Sequence, residues 1–251
     1  MTFTQWWDRV SDFFAPTIFH PQYFYKVAET LTVKEVKKVA GGTFLDVGCG
    51  RQWYRPIFYP MFSKYITLEK KENKGIYNSK YPIDIWADAT NIPLQRNAVD
   101  VVLLSEMMEY LSEPHKVLRE CRRVLTPKGF IIINVRDNYP AHHLPLDVGH
   151  YTQHGVAALL KTAGFGVVRR ITCGNFWEVM AIYRHIFFME RVKKLIFKQH
   201  YKILGFTMLA IMWPLMTLDN ILAIVLGGKK SADEFAISHV VVARPLVSNK
   251  K

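Results

Sequence analysis

The sequence predicts an α/β domain built on a mostly parallel sheet with helices on both faces, and two stretches carry the prediction. From Thr43 the chain reads Thr-Phe-Leu-Asp-Val-Gly-Cys-Gly-Arg-Gln, an apolar strand broken only by Asp46 and followed at once by Gly48 and Gly50. Glycines placed there let the main chain approach a ligand beyond the carboxyl end of a buried strand, with no Cβ in the way. Tyr65 to Leu68 is a second apolar run, closed by Glu69 about twenty residues further on, where a carboxylate can take both hydroxyls of an adenosine ribose.

The remaining elements follow in chain order. Residues 1–42 predict a helical cap. Trp6, Val10, Phe13 and Phe14 share one helical face, while Asp8, Arg9 and Asp12 interrupt any signal-peptide core. This face either packs over the sheet or covers a substrate. After Pro16 and Pro21, the spacing of Phe24, Val27, Leu31 and Val36 continues the helix, and Gly41-Gly42 releases the chain. Trp53 to Phe62 reads as helix despite Pro56 and Pro60, and Lys70 to Lys74 as a solvated turn. Ile83 to Ala87 is the third strand and ends at Asp88. Ala98 to Leu104 is the fourth and stops at Ser105, and Phe130 to Val135 is the fifth. Leu118, Cys121, Val124 and Leu125 place a helix over residues 117–125, ended by Pro127 and Gly129. Thr152 caps a helix from Gln153 to Ala163, which Gly164 ends. Val167 to Thr172 and Ile237 to Ala243 read as strands six and seven.

A dinucleotide fingerprint needs a third glycine where Trp53 stands. The glycine loop, Glu69, Ala87-Asp88-Ala89 and Leu104-Ser105-Glu106 instead resemble the class I S-adenosylmethionine-dependent methyltransferases, over about half the chain from Phe44 to Phe165. The pattern departs at Gln52, where many members carry a further glycine. The resemblance implies a Rossmann-like seven-stranded sheet whose last strand is antiparallel, and S-adenosyl-L-methionine as cofactor. It also implies that the Asp46, Gly48 and Gly50 segment meets the methionine part and Glu69 the ribose. Asp88 would accept from the adenine amine, with Ala89 and Ile92 along the ring. Ser105, with Glu106 and Glu109, would border the transferred methyl. Asp88 has a purely structural alternative as the cap of the turn before Pro93.

Residues 136–152 form the loop richest in chemistry, with Asp137, His142, His143, Asp147, His150 and Tyr151 beyond the fifth strand. Residues 145–152 resemble a Pro-His-Asp-Tyr-Tyr-Arg-Tyr-Thr pattern of methyltransferases associated with bacterial cell-surface glycans and lipids, with Leu146 for the histidine and His150 for the arginine. A hydroxyl acceptor loses a proton as it attacks, so His142, His143 and His150 are the candidate bases. Hydrogen-bonded loop histidines are the structural alternative. Adjacent His142 and His143 do not suit one metal ion, and no metal is predicted.

The chain has 251 residues, half of them hydrophobic, and a formal charge of +12. That charge suits an anionic surface or substrate. Cys49, Cys121 and Cys173 make neither a disulfide framework nor a zinc site, which fits a reducing cytoplasm. The strands are assigned to one methyltransferase domain, residues 43–174 and 231–247. Residues 175–230, between strands six and seven, form a basic helical insertion with eight Lys or Arg against three Asp or Glu. Its apolar run from Ile203 to Leu226 is long enough for a transmembrane helix. Strands sharing one sheet exclude a single crossing, and Pro214 with Asp219-Asn220 predicts a break. The insertion is therefore expected to rest peripherally on an anionic inner membrane face, or to form a substrate lid or homodimer contact. The predicted activity is methyl transfer to a small-molecule, glycan or lipid-linked acceptor at oxygen. The alternatives are an inactive cofactor-binding subunit and an RNA ribose methyltransferase. Ser105-Glu106-Met107 stands where base-amine methyltransferases carry their Asn-Pro-Pro-Tyr motif, which argues against other nucleic-acid substrates.

Overall fold

The computed structural model describes residues 13–74, 79–198, 201–228 and 233–246. The part of the aromatic face carried by Trp6 and Val10, and the pair Lys229-Lys230, lie outside these residues. Seven strands are present: β1 Thr43–Val47, β2 Lys64–Glu69, β3 Ile85–Trp86, β4 Val99–Ser105, β5 Leu125–Arg136, β6 Phe165–Cys173 and β7 Ser238–Pro245. The helices are α1 Tyr23–Lys37, α2 Arg55–Phe58, α3 Pro114–Val124, α4 Gln153–Thr162, α5 Phe176–Lys193 and α6 Lys202–Gly227.

One sheet holds all the strands in the order β3-β2-β1-β4-β5-β7-β6. β1 is central and parallel to both neighbours, with Val47 opposite Leu68 and Leu104. β7 runs antiparallel to β6, because Ile237 N–H donates to Cys173 O and Leu246 N–H to Gly164 O, each at 2.8 Å. The strand order reverses between β1 and β4. That switch point opens a crevice at the carboxyl ends of the parallel strands.

The chain divides into two compact units. One comprises residues 30–137, 142–171 and 239–251. Alternation along its strands sends successive side chains to opposite faces. Leu45, Val47, Val102 and Leu104 pack on one face with Val117, Leu118 and Cys121 of α3 and with Val156 and Leu160 of α4. Phe44, Val101 and Leu103 pack on the other with Val36 of α1 and Phe58 of α2. The Thr152 hydroxyl accepts from Gly155 N–H at 3.1 Å, the predicted cap of α4. Gly164, with φ +82°, ends that helix as expected.

The other unit comprises residues 1–29, 138–141 and 172–238. Its described core joins Phe24 and Tyr25 of α1 to Val179 and Ile182 of α5, Ala223 of α6, Tyr139 and Ile237. The N-terminal segment thus divides near residue 29, inside α1, and its first part belongs with the insertion.

Several expected elements differ. The helix predicted over residues 53–62 is only α2 and a 3₁₀ turn, Tyr59–Met61, each opened by a proline. The third strand shrinks to two residues, because the Asp84 carboxylate accepts from Thr67 N–H and Oγ1 at 2.9 and 2.8 Å in place of a ladder contact. β5 begins immediately after α3 and includes Pro127 and Gly129. The break predicted at Pro214 and Asp219-Asn220 is absent: α6 is one helix of 26 residues. The Asn220 side chain is buried and donates to Ile18 O and His20 O, at 2.8 and 3.1 Å. The polar residue expected to end the helix is a tether that holds it.

Candidate active site

The glycine loop turns sharply, with φ +70° at Gly48 and +47° at Gly50. A Cβ on Gly48 would stand 2.8 Å from the Met107 side chain, which would have to shift, and the positive φ itself favours glycine there. Gln52, standing where a further glycine is common, takes the same left-handed conformation at φ +58°. Its buried amide donates to Ser79 Oγ, Tyr81 O and Pro82 O at 2.9–3.1 Å, and it accepts from Arg55 at 3.1 Å. Those bonds offset the strain of about 1–2 kcal/mol that a side chain meets there. Arg55 also lies over the rings of Tyr59, Tyr65 and Tyr81 at 5.2–5.5 Å, which locks the loop. Neither residue stood out in the sequence as a support of the site.

Glu69 is buried at the tip of β2. Its Oε2 accepts from Gly50 N–H at 2.8 Å, while Oε1 accepts from Lys70 N–H at 2.9 Å and Asn73 Nδ2 at 2.8 Å. The acid and the glycine loop, nineteen positions apart in the chain, meet directly. Beyond β3, Asp88 Oδ1 accepts from Thr90 N–H and Oγ1 at 2.8 and 2.7 Å, the capping role weighed above. These bonds hold its carboxyl below the usual range. Oδ2 lies 3.7 Å from Lys70 Nζ, and Asp88 also lines a cleft of about 280 Å³ with Lys71, Glu72, Trp86, Ala87 and Asn91. Ala89 and Ile92 are buried in the sheet core beneath this turn. Asp46 points to the Phe44 face and accepts from Tyr65 OH at 2.7 Å, and burial pushes its carboxyl up to about 6. Ser105 Oγ lies 3.2 Å from Tyr54 OH.

Past β4 and β5 a second cluster assembles. Glu106 has φ +53° and accepts from Arg136 Nη2 at 2.6 Å. Glu109 is fully buried and accepts from Arg136 N–H at 2.6 Å, and burial pushes it up to about 7. His142 is the hub. Its Nε2 lies 2.6 Å from Tyr110 OH and also meets the Arg136 guanidinium, while Nδ1 lies 3.0 Å from Asp147. Asp147 accepts in addition from His142 N–H at 3.0 Å and His150 Nε2 at 3.2 Å. Burial and the adjacent Arg136 push His142 down to about 4, so its ring is neutral near pH 7. With Nδ1–H directed to Asp147, Nε2 is the acceptor. His143, at φ +52°, sets its ring at a tilt of 58° to that of His142, with centroids 5.0 Å apart. All three candidate histidines are thus neighbours, and two share Asp147. Arg136 and Tyr110, which organise them, were not predicted. The signal for Arg136 was its position as the last residue of a strand that ends at the crevice.

A family profile described as "Methyltransferase domain" matches residues 45–133, from the first strand through the fifth. These residues carry the methyltransferase-domain pattern. The chain is 27% identical over 161 residues to the Mycolicibacterium smegmatis protein named "Probable S-adenosylmethionine-dependent methyltransferase", covering 61% of this chain and 63% of that one. It is 25% identical over 161 residues to the "Ubiquinone biosynthesis O-methyltransferase" of Pseudomonas paraeruginosa, covering 58% and 63%. In both cases it spans less than two thirds of the relative's length. Among solved structures the cyclase SpnF superposes with a TM-score of 0.56 over 88% of this chain and 81% of its own, at 18% identity, which shows the shared fold.

The methyltransferase cofactor fits the donors present. S-adenosylmethionine offers a vicinal diol, an exocyclic amine and an amino-acid end. The crevice offers a buried carboxylate on a glycine loop, a second carboxylate in an adjoining cleft, and a main-chain turn closed to any larger residue at position 48.

Proposed function

We propose that the chain transfers the methyl group of S-adenosylmethionine to a hydroxyl of a small-molecule, glycan or lipid-linked acceptor. The observation that carries this reading is the Tyr110–His142–Asp147 chain of hydrogen bonds beyond β4 and β5. The name of the ubiquinone-pathway relative adds support for oxygen as the acceptor atom.

In this reading the Gly48–Gly50 main chain takes the methionine part of the cofactor, Glu69 holds the ribose hydroxyls and Asp88 Oδ2 accepts from the adenine amine. The bound cofactor supplies a methyl carbon already activated by its sulfonium. The protein's work is alignment, exclusion of water and removal of one proton. When bound, the cofactor would give its methyl to the acceptor oxygen and leave as the neutral thioether, while Tyr110 would take the hydroxyl proton and pass its own to His142 Nε2. Asp147 would stabilise the resulting imidazolium through Nδ1, and Arg136, which meets the same Nε2 and is paired with Glu106, would have to swing off that nitrogen for it to take the proton. An amine acceptor would not need this base, so the relay favours oxygen.

The test is incubation with methyl-labelled cofactor and separated phenolic, lipid, glycan and RNA fractions, comparing the protein with His142→Ala. Label in a base-stable methyl ether product of the first three, lost in the variant, is the expected result. Label confined to RNA ribose, or binding without turnover on every fraction, overturns the assignment in favour of the two alternatives.

A further inference from the structure

A helix on the surface of a water-soluble protein turns its apolar stripe inward and its polar stripe to solvent. α6 is apolar on its outward face as well as its inward one. Its buried positions are Gly205, Leu209, Met216, Asn220 and Ala223, a narrow strip that includes an amide and two of the smallest side chains. Its exposed positions include Ile203, Ile211, Leu215, Leu218, Leu222 and Val225, with Ile203 86% and Val225 70% accessible. At 100° per residue these six fall on one broad arc opposite the buried strip. No charged side chain lies on that arc between Ile203 and Leu226. The one acid of the helix, Asp219, is turned aside and paired with Arg184 at 2.7 Å and His185 at 3.0 Å.

Among the described residues, exposed cations stand at the end of this face nearest α5. Arg191, Lys194 and Lys202, at the turn between α5 and α6, are exposed. The hairpin is closely built at both ends. A Cβ on Gly205 would overlap Ile196, and one on Gly227 would overlap the Asn175 side chain that caps α5.

We infer that this face docks on an anionic lipid bilayer, with α6 lying along the interface. At 1.5 Å per residue its 26 residues extend about 39 Å, enough to cross a bilayer core of about 30 Å. Crossing once is nevertheless excluded, because the chain leaves for the hairpin at Cys173 and returns at Ile237, which are hydrogen-bonded to each other. An apolar arc with cations at its end is the pattern of an interfacial helix on anionic headgroups. The inference is independent of the proposed methyl transfer. If both hold, the acceptor is an amphiphile of that membrane.

Sedimentation of the full chain with phosphatidylcholine vesicles and with vesicles containing phosphatidylglycerol, at low and high salt, reads binding without reference to activity. The expected result is pelleting with the anionic vesicles, weakened but not abolished by salt. Replacing Lys194 and Lys202 by Gln lowers affinity by about fivefold per cation. The combined change Ile211→Glu, Leu218→Glu, Val225→Glu abolishes pelleting while circular dichroism and cofactor binding stay unchanged. If the intact chain stays in the supernatant with anionic vesicles at low salt, or the triple variant pellets as well as the parent, the inference fails. A dimer that the triple variant dissociates, without vesicle binding, overturns it in favour of a second copy as occupant. Resistance of the bound protein to alkaline carbonate overturns the in-plane arrangement.

Discussion

Glu69, His142 and Asp46 show how differently one ionisable side chain can be used. Glu69 is buried yet fully supplied with donors, so it is a preorganised anion. Glu69→Ala is expected to weaken S-adenosylmethionine binding by roughly ten- to a hundredfold, the loss of about 1.5–3 kcal/mol of charge-assisted bonding, read by calorimetry on the folded variant. His142 is buried beside Arg136 and held neutral, with a value near 4. Its basic form is therefore already present throughout the physiological range. If it is the base, kcat/KM rises through about pH 4 and is flat from 5.5 to 8, and His142→Ala costs roughly 10²–10⁴ in rate. A limb near the ordinary histidine value transfers the role to another group. Asp46 titrates in the opposite sense, because burial raises it to about 6. The folded protein then holds the proton more tightly than the unfolded chain. This group's stabilisation is complete below about pH 4, declines as pH rises and is lost above about 6. Asp46→Asn keeps an acceptor for Tyr65 without the buried charge. Urea unfolding should show a gain on the order of 2 kcal/mol at pH 7 that vanishes near pH 4.

At the scale of elements, α6 illustrates why polar residues need not end a helix. Its backbone passes Pro214 with one hydrogen bond fewer and continues, because Leu209, Met216 and Ala223 on its inner strip keep it packed. Asn220 contributes two bonds to the carbonyls of Ile18 and His20. Asn220→Ala would remove that donor from the partly buried Ile18 carbonyl and the buried His20 carbonyl. A loss of about 1–3 kcal/mol is expected, measured as a lower denaturation midpoint at constant m-value. The loop after β5 is held in the same manner, through Val148 N–H to Glu109 O and Tyr151 N–H to Arg136 O, each at 2.9 Å.

For the whole molecule, β6 and β7 each contribute residues to both compact units, so unfolding one unit pulls apart strands of the other. A single cooperative thermal transition is expected on that ground. The cofactor's proposed ligands all lie among residues 30–137, yet its binding should move the whole transition, contributing about 2.7 kcal/mol at a free concentration one hundred times Kd. Scanning calorimetry with and without S-adenosylmethionine checks both points. Two transitions, only one of which moves, would show that the units melt independently.

The sequence by itself determined the sheet, and it marked the candidate cofactor side of the crevice. Strand periodicity, the two glycines, and acids at Glu69 and Asp88 are local features. A buried strand must be apolar and a turn at positive φ is most readily glycine, so each can be recognised without its neighbours. Tertiary structure alone decided the acceptor side. Nothing local marks Arg136, Tyr110 and His142 as partners, because they are separated by up to 32 positions and meet only when the ends of β4 and β5 align. It also decided the hairpin. The same apolar run is compatible with a buried core helix, a membrane span or an interfacial helix. Only the fold shows which arc of that run is covered, and that a hydrogen bond from Ile237 to Cys173 brings both ends of the insertion back to one point in the sheet.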